Sequence, residues 1–120
     1  MIMPTFLTIG YGDAESYEAT DPALRDKAHA HDRWLASHGA VIAALGTPTQ
    51  VRNPEGTALS TAEGAYMRTD LPLAGFALLD AASLEEAVER VAGTPCAVAH
   101  GVVEVWPLVC GVEQDGAASV

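Results

Sequence analysis

Residues 29 to 34 read His-Ala-His-Asp-Arg-Trp, and His38 follows four positions later. Three of the chain's four histidines therefore fall within ten residues. Imidazoles beside a carboxylate are suited to metal ligation or to proton transfer, and helical geometry separates the two. At about 100° per residue, His29 and His31 point about 200° apart and cannot share a metal. His31 and His38 lie two turns, about 10.5 Å, apart along the axis, also too far for a common ion. No metal site and no cofactor are expected from this cluster.

With Leu24 as the reference direction, Ala28, His31, Leu35 and His38 fall in one inward arc. His29 then faces solvent, Arg33 is a solvated charge, and Trp34 flanks the stripe as core, interface or ligand platform. Two readings of His31 stay open. It is a general acid or base whose carboxylate partner sets its tautomer and pKa, or a core histidine satisfied by a backbone carbonyl. For the first, Asp13 at the end of a strand is the expected partner. Asp32 lies about 100° around the same helix and fits poorly.

The elements that must position these residues follow from periodicity and caps. Thr5 to Ile9 is β-branched and aromatic and closes at Gly10-Tyr11-Gly12-Asp13, a first strand. Asp21-Pro22 starts a helix that runs to His38, with Gly39 as its stop. Ala40 to Leu45 is a short strand. Residues 49 to 52 and a strand near 57 to 60 form a hairpin around Asn53-Pro54-Glu55-Gly56, and 61 to 72 read as loop or edge. Leu73 to Asp80 is a strand apolar on both faces. Ser83-Leu84-Glu85-Glu86 is a capping box opening a second helix that ends at Gly93. Val102 to Val109 is the last strand, with Pro107 near an edge.

The order β-α-β-hairpin-β-α-β predicts an α+β, ferredoxin-like fold: an antiparallel sheet with two helices on one face. Residues 1–110 are expected to form one domain and 111–120 a flexible tail. Because the sheet's second face is also apolar, a homodimer with sheets face to face is expected.

The chain has 120 residues, 49% hydrophobic and 18% charged, with a formal charge of −10. That balance disfavours nucleic acid and anionic membrane surfaces as partners. No stretch is long and apolar enough to span a bilayer. The start, MIMPTFLTIGYGD, lacks the basic region of a signal peptide. Cys96 and Cys110 have neither Cys-x-x-Cys spacing nor scaffold density, so a reduced, cytoplasmic setting is expected.

The stretch GFALLDAASLEEAVERVAGTP (75 to 95) and the segment HGVVEVWPL (100 to 108) resemble the C-terminal half of YCII-related proteins, in particular their DGPF subgroup. WLASHG and AVIAALG fit the N-terminal half, so the resemblance spans about residues 4 to 109. The subgroup's Asp-Gly-Pro-Phe signature falls on Glu63-Gly64-Ala65-Tyr66, Arg68-Thr69-Asp70-Leu71 replaces Glu-Thr-Lys-Glu, and Trp106 stands for a strand arginine. The resemblance implies a dimeric α/β-barrel type of assembly and a suspected catalytic histidine with an aspartate, which falls on His31.

An unknown small molecule is then expected in a cleft shaped by Trp34, Tyr66, Arg68, His100 and Trp106, although His100 also fits an exposed turn. Isomerase- or lactonase-like chemistry through His31 and Asp13 is one expectation. The other is a non-catalytic binding or interaction module, which the resemblance links to sigma-factor regulation.

Overall fold

The first strand, β1 (Thr5–Tyr11), shows how the layers arise. Its residues alternate: Phe6, Thr8 and Gly10 are buried, while Leu7 and Ile9 are only half-buried on the opposite face, as a period of two requires. The computed structural model describes residues 3–109; Cys110 and the expected tail lie outside them. β1 is central, antiparallel to β5 (Leu73–Asp80) on one side and to β6 (Val102–Pro107) on the other. β2 (Val41–Ala44) adds outside β5, giving the order β2-β5-β1-β6. This is the expected ferredoxin-like arrangement, α+β with all neighbours antiparallel. β3 (Thr49–Arg52) and β4 (Ser60–Glu63) pair only with each other, as a hairpin inserted between β2 and β5.

Several boundaries differ from expectation. β1 runs two residues further, to Tyr11, and β6 ends at Pro107. The hairpin's second strand is at 60–63 rather than 57–60, because a short 3-10 turn at Pro54–Gly56 and the following residues lengthen the connection. Two short helices were not foreseen: α1 (Ala14–Ala19) and α4 (Pro95–Val98). Each is too short for a hydrophobic period to show. The local signals were Asp13, whose carboxylate accepts from the Ser16 N–H at 2.7 Å, and Pro95 at a first helical position.

The long helix α2 (Pro22–Ser37) is capped by Asp21, which accepts from the Ala23 N–H at 3.0 Å. Its Ala28 and Leu35 are 2% exposed, a burial that contributes about 2 kcal/mol for a leucine. α3 (Leu84–Val91) is capped by the Ser83 hydroxyl. Its Ala87 and Val91 pack with Phe6, Leu79 and Ala81 into the core. Away from the Tyr11 end, which residues 67–71 border, no helix covers the sheet's other face among the described residues. Register aligns Leu7 with Leu78 and Trp106, and Ile9 with Phe76 and Glu104, so that face carries rows of large apolar side chains.

Candidate functional site

Where the covered face reaches the Gly10 end of β1, its residues become small. Thr8 and Gly10 on β1 pair with Ala77 and Gly75 on β5. Side chains this short cannot reach the helices, and a cavity of about 420 Å³ remains between α2 and the sheet, within the range of small-molecule sites. Two of the glycines fit closely, Gly75 against fixed backbone. A Cβ at Gly10 would lie 2.8 Å from the Cys96 sulfur, and one at Gly75 would lie 2.7 Å from the Ala43 carbonyl.

The polar wall comes from the helices. Asp13, Tyr17, His29 and Asp32 all line the cavity. The Tyr17 hydroxyl and His29 Nε2 are 2.6 Å apart, with the rings edge-on. When the phenol donates, the ring carries its proton on Nδ1; in the other tautomer Nε2–H donates to the phenol oxygen. The Arg25 guanidinium lies over the Tyr17 ring, 5.0 Å from its centroid. Burial pushes the Asp32 carboxyl above the usual carboxylate range, opposed by the nearby His29 and His31. The Cys96 thiol is likewise pushed up, first by burial and then by the Asp32 charge, so it is a weak nucleophile. Asp13 goes the other way, held low by the Ser16 backbone N–H and hydroxyl.

His31 does not line this cavity. Its Nε2 is 2.5 Å from the Arg90 carbonyl at the end of α3. Its ring rests against Gly93, where a Cβ would come within 3.1 Å of it, and stacks with Trp34 at 5.9 Å and 8°. His31 and Asp13 are therefore not brought together. The wheel on which His29 faced solvent is also corrected. It was anchored on Leu24, which is 50% exposed at the start of α2. The inward arc is rotated toward Ala28, Asp32 and Leu35, and the unforeseen α1 lays Tyr17 against His29. Asp32, expected as a flank, sits in the wall.

Of the other expected cleft residues, none lines the same cavity. Trp34 is half-exposed in a column between the rings of His31 and His38, the latter 4.0 Å away. Tyr66 is 79% exposed, under the Arg52 guanidinium. His100 is exposed at a turn with φ 64. Trp106 is on the uncovered face.

Arg68 borders a second cleft, of about 630 Å³, with Tyr11, Met67, Val102 and Glu104. There the Tyr11 hydroxyl donates to the Glu104 carboxylate at 2.5 Å, within reach of the Met67 sulfur at 3.4 Å. That hydrogen bond, then burial, pushes the phenol above its ordinary value. The pair had no signal beyond Tyr11 and Glu104 each ending up on one face of adjacent strands.

Among the described residues no three of His, Cys, Asp and Glu converge as metal ligands would, and no helix is long and apolar enough to cross a membrane. No curated protein matches the chain. The family of the YCII-related domain matches residues 5–109, and the chain belongs to it.

Proposed function

We propose that this member of the YCII-related family binds a small organic molecule in the cavity between α2 and the sheet and transfers a proton on it. The observation that carries the reading is the shared wall: the His29–Tyr17 pair at 2.6 Å and the Asp32 carboxylate line one half-open, mainly apolar cavity. His29 is the acid or base, Tyr17 fixes its tautomer, and Asp32 offsets the charge of the imidazolium. Isomerisation or lactone-type chemistry is the reaction class such a pair suits. His31 is a positioning residue that ties α2 to the end of α3 through the Arg90 carbonyl.

A thermal-shift panel of small metabolites, followed by turnover assays on hits, tests this. His29→Gln should abolish turnover while His31→Gln keeps most of it. The reverse order would return the role to His31 and Asp13, and turnover that survives both variants would overturn the acid–base reading.

A second reading is favoured by one observation: the partner of His29 is a phenol and not a carboxylate. A passive ligand-binding or interaction module, including one linked to sigma-factor regulation, would use the same cavity without turnover. In either case the uncovered sheet face, with Leu7, Ile9, Phe76 and Leu78, supports a homodimer packed sheet to sheet. Light scattering that gives only the 12.5 kDa monomer at micromolar concentration would refute the dimer. Within the family, Glu63-Gly64-Ala65-Tyr66 supports the DGPF subgroup, and the free Cys96 suits a reducing cytoplasm.

A further inference from the structure

Given the reading of this cavity as a ligand site, we infer that its ligand is a compact apolar molecule carrying an amine, and not a carboxylate or phosphate. Two carboxylates, Asp13 and Asp32, line the cavity, and no lysine or arginine does. The nearest described cation to stack on the wall, Arg25, sits over the Tyr17 ring and does not line the space. An anion entering here would meet two like charges in a half-open, mainly apolar cavity on a chain of formal charge −10, and both act against it.

The two carboxylates are not equivalent. Asp13 is already occupied, capping α1 through the Ser16 N–H. Asp32 has no comparable donor among the described residues and is held against a void, and burial disfavours its charged form. An ammonium would supply the missing donors as charge-assisted hydrogen bonds and relieve the penalty of an unpaired charge. Tyr17 in the lining offers an aromatic ring for the same cation. Most of the remaining surface is apolar, Leu35, Ala77 and Val91 among it, with Thr8, Thr94 and Cys96 as small polar groups, which suits an apolar body. The two readings share Asp32 but not the His29–Tyr17 pair, so His29→Gln and Asp32→Asn let them fail separately.

The test uses three probes with one body: benzylamine, benzyl alcohol and benzoate, titrated at neutral pH by calorimetry into the whole chain and into Asp32→Asn. Benzylamine should bind at least about tenfold tighter than benzoate, on the scale of one charge-assisted hydrogen bond. In Asp32→Asn that preference should collapse to about twofold or less while benzyl alcohol binds unchanged, which also shows the variant is folded. Benzoate binding as tightly as benzylamine, an amine preference that survives Asp32→Asn, or binding of none of the probes would overturn the inference. Amine preference in a protein whose turnover ignores His29→Gln would leave the inference standing and remove only the proton-transfer reading.

Discussion

The two faces of the sheet are built on opposite rules. On the covered face, the strand residues near the cavity are Thr8, Gly10, Gly75 and Ala77, too small to fill the gap beneath α2. On the uncovered face the same strands present Leu7, Ile9, Phe76 and Leu78, large enough to fill a gap that the described residues do not supply. Beside the cavity, then, the small side chains lie under the helix and the large ones on the other face, while further along the covered face Phe6 and Leu79 fill the core. That local contrast leaves a cavity on one side of the strands and a half-buried apolar surface on the other.

The largest effect should come from the support of the covered face. Leu35→Ala removes a leucine that is 2% exposed and should destabilise by about 3 kcal/mol, read by urea unfolding. Gly10→Val puts side-chain atoms into the space of the Cys96 sulfur. It should cost about 2 kcal/mol through overpacking and abolish ligand-induced thermal shifts, so an unchanged shift would show that the void is not the site. On the other face, Leu78→Glu should cost dilute protein less than Leu35→Ala does, about 1 kcal/mol, and remove any dependence of melting temperature on concentration. A concentration dependence that persists would break the contrast between the faces.

Smaller, and signed by pH, is Asp32→Asn. The folded pKa of Asp32 is raised, so the folded state holds its proton longer than the unfolded chain does. Stability attributable to this group is therefore lost as pH rises from the ordinary carboxylate value through the raised one. Asp32→Asn should melt higher than wild type at neutral pH and equally in acid; the opposite ordering in thermal melts would contradict burial as the cause. Asp13, with a lowered pKa, contributes stability at neutral pH that is lost as pH falls through its folded value. Asp13→Ala should show its deficit at neutral pH and lose it in acid.

Strands and long helices were legible because each carries a period or a cap: the alternation in Thr5–Tyr11, the Asp21-Pro22 start, the Ser83 to Glu86 box. The wall of the cavity was not. Its geometry depends on α1, six residues with no period to read, which decides that His29 meets Tyr17 instead of water. Helical spacing did dissolve the apparent pair of His29 and His31, but the sequence alone could not set the zero of the wheel. An exposed Leu24 and a half-buried Asp32 reverse the usual ranking of apolar over charged, and the rotation between them turns His29 to the cavity while His31 stays packed inward on the Arg90 carbonyl.

β1 is a wall common to both faces: Thr8 and Gly10 line the cavity, while Ile9 and Tyr11, the next residues along, point to the opposite face. Whatever seats on the bare face and whatever enters the cavity press on the same seven-residue strand from opposite sides. Where self-association shifts that strand, linkage makes the effect reciprocal. The factor by which ligand alters the dimer constant must equal the factor by which pairing alters ligand affinity, and one strand would carry both messages.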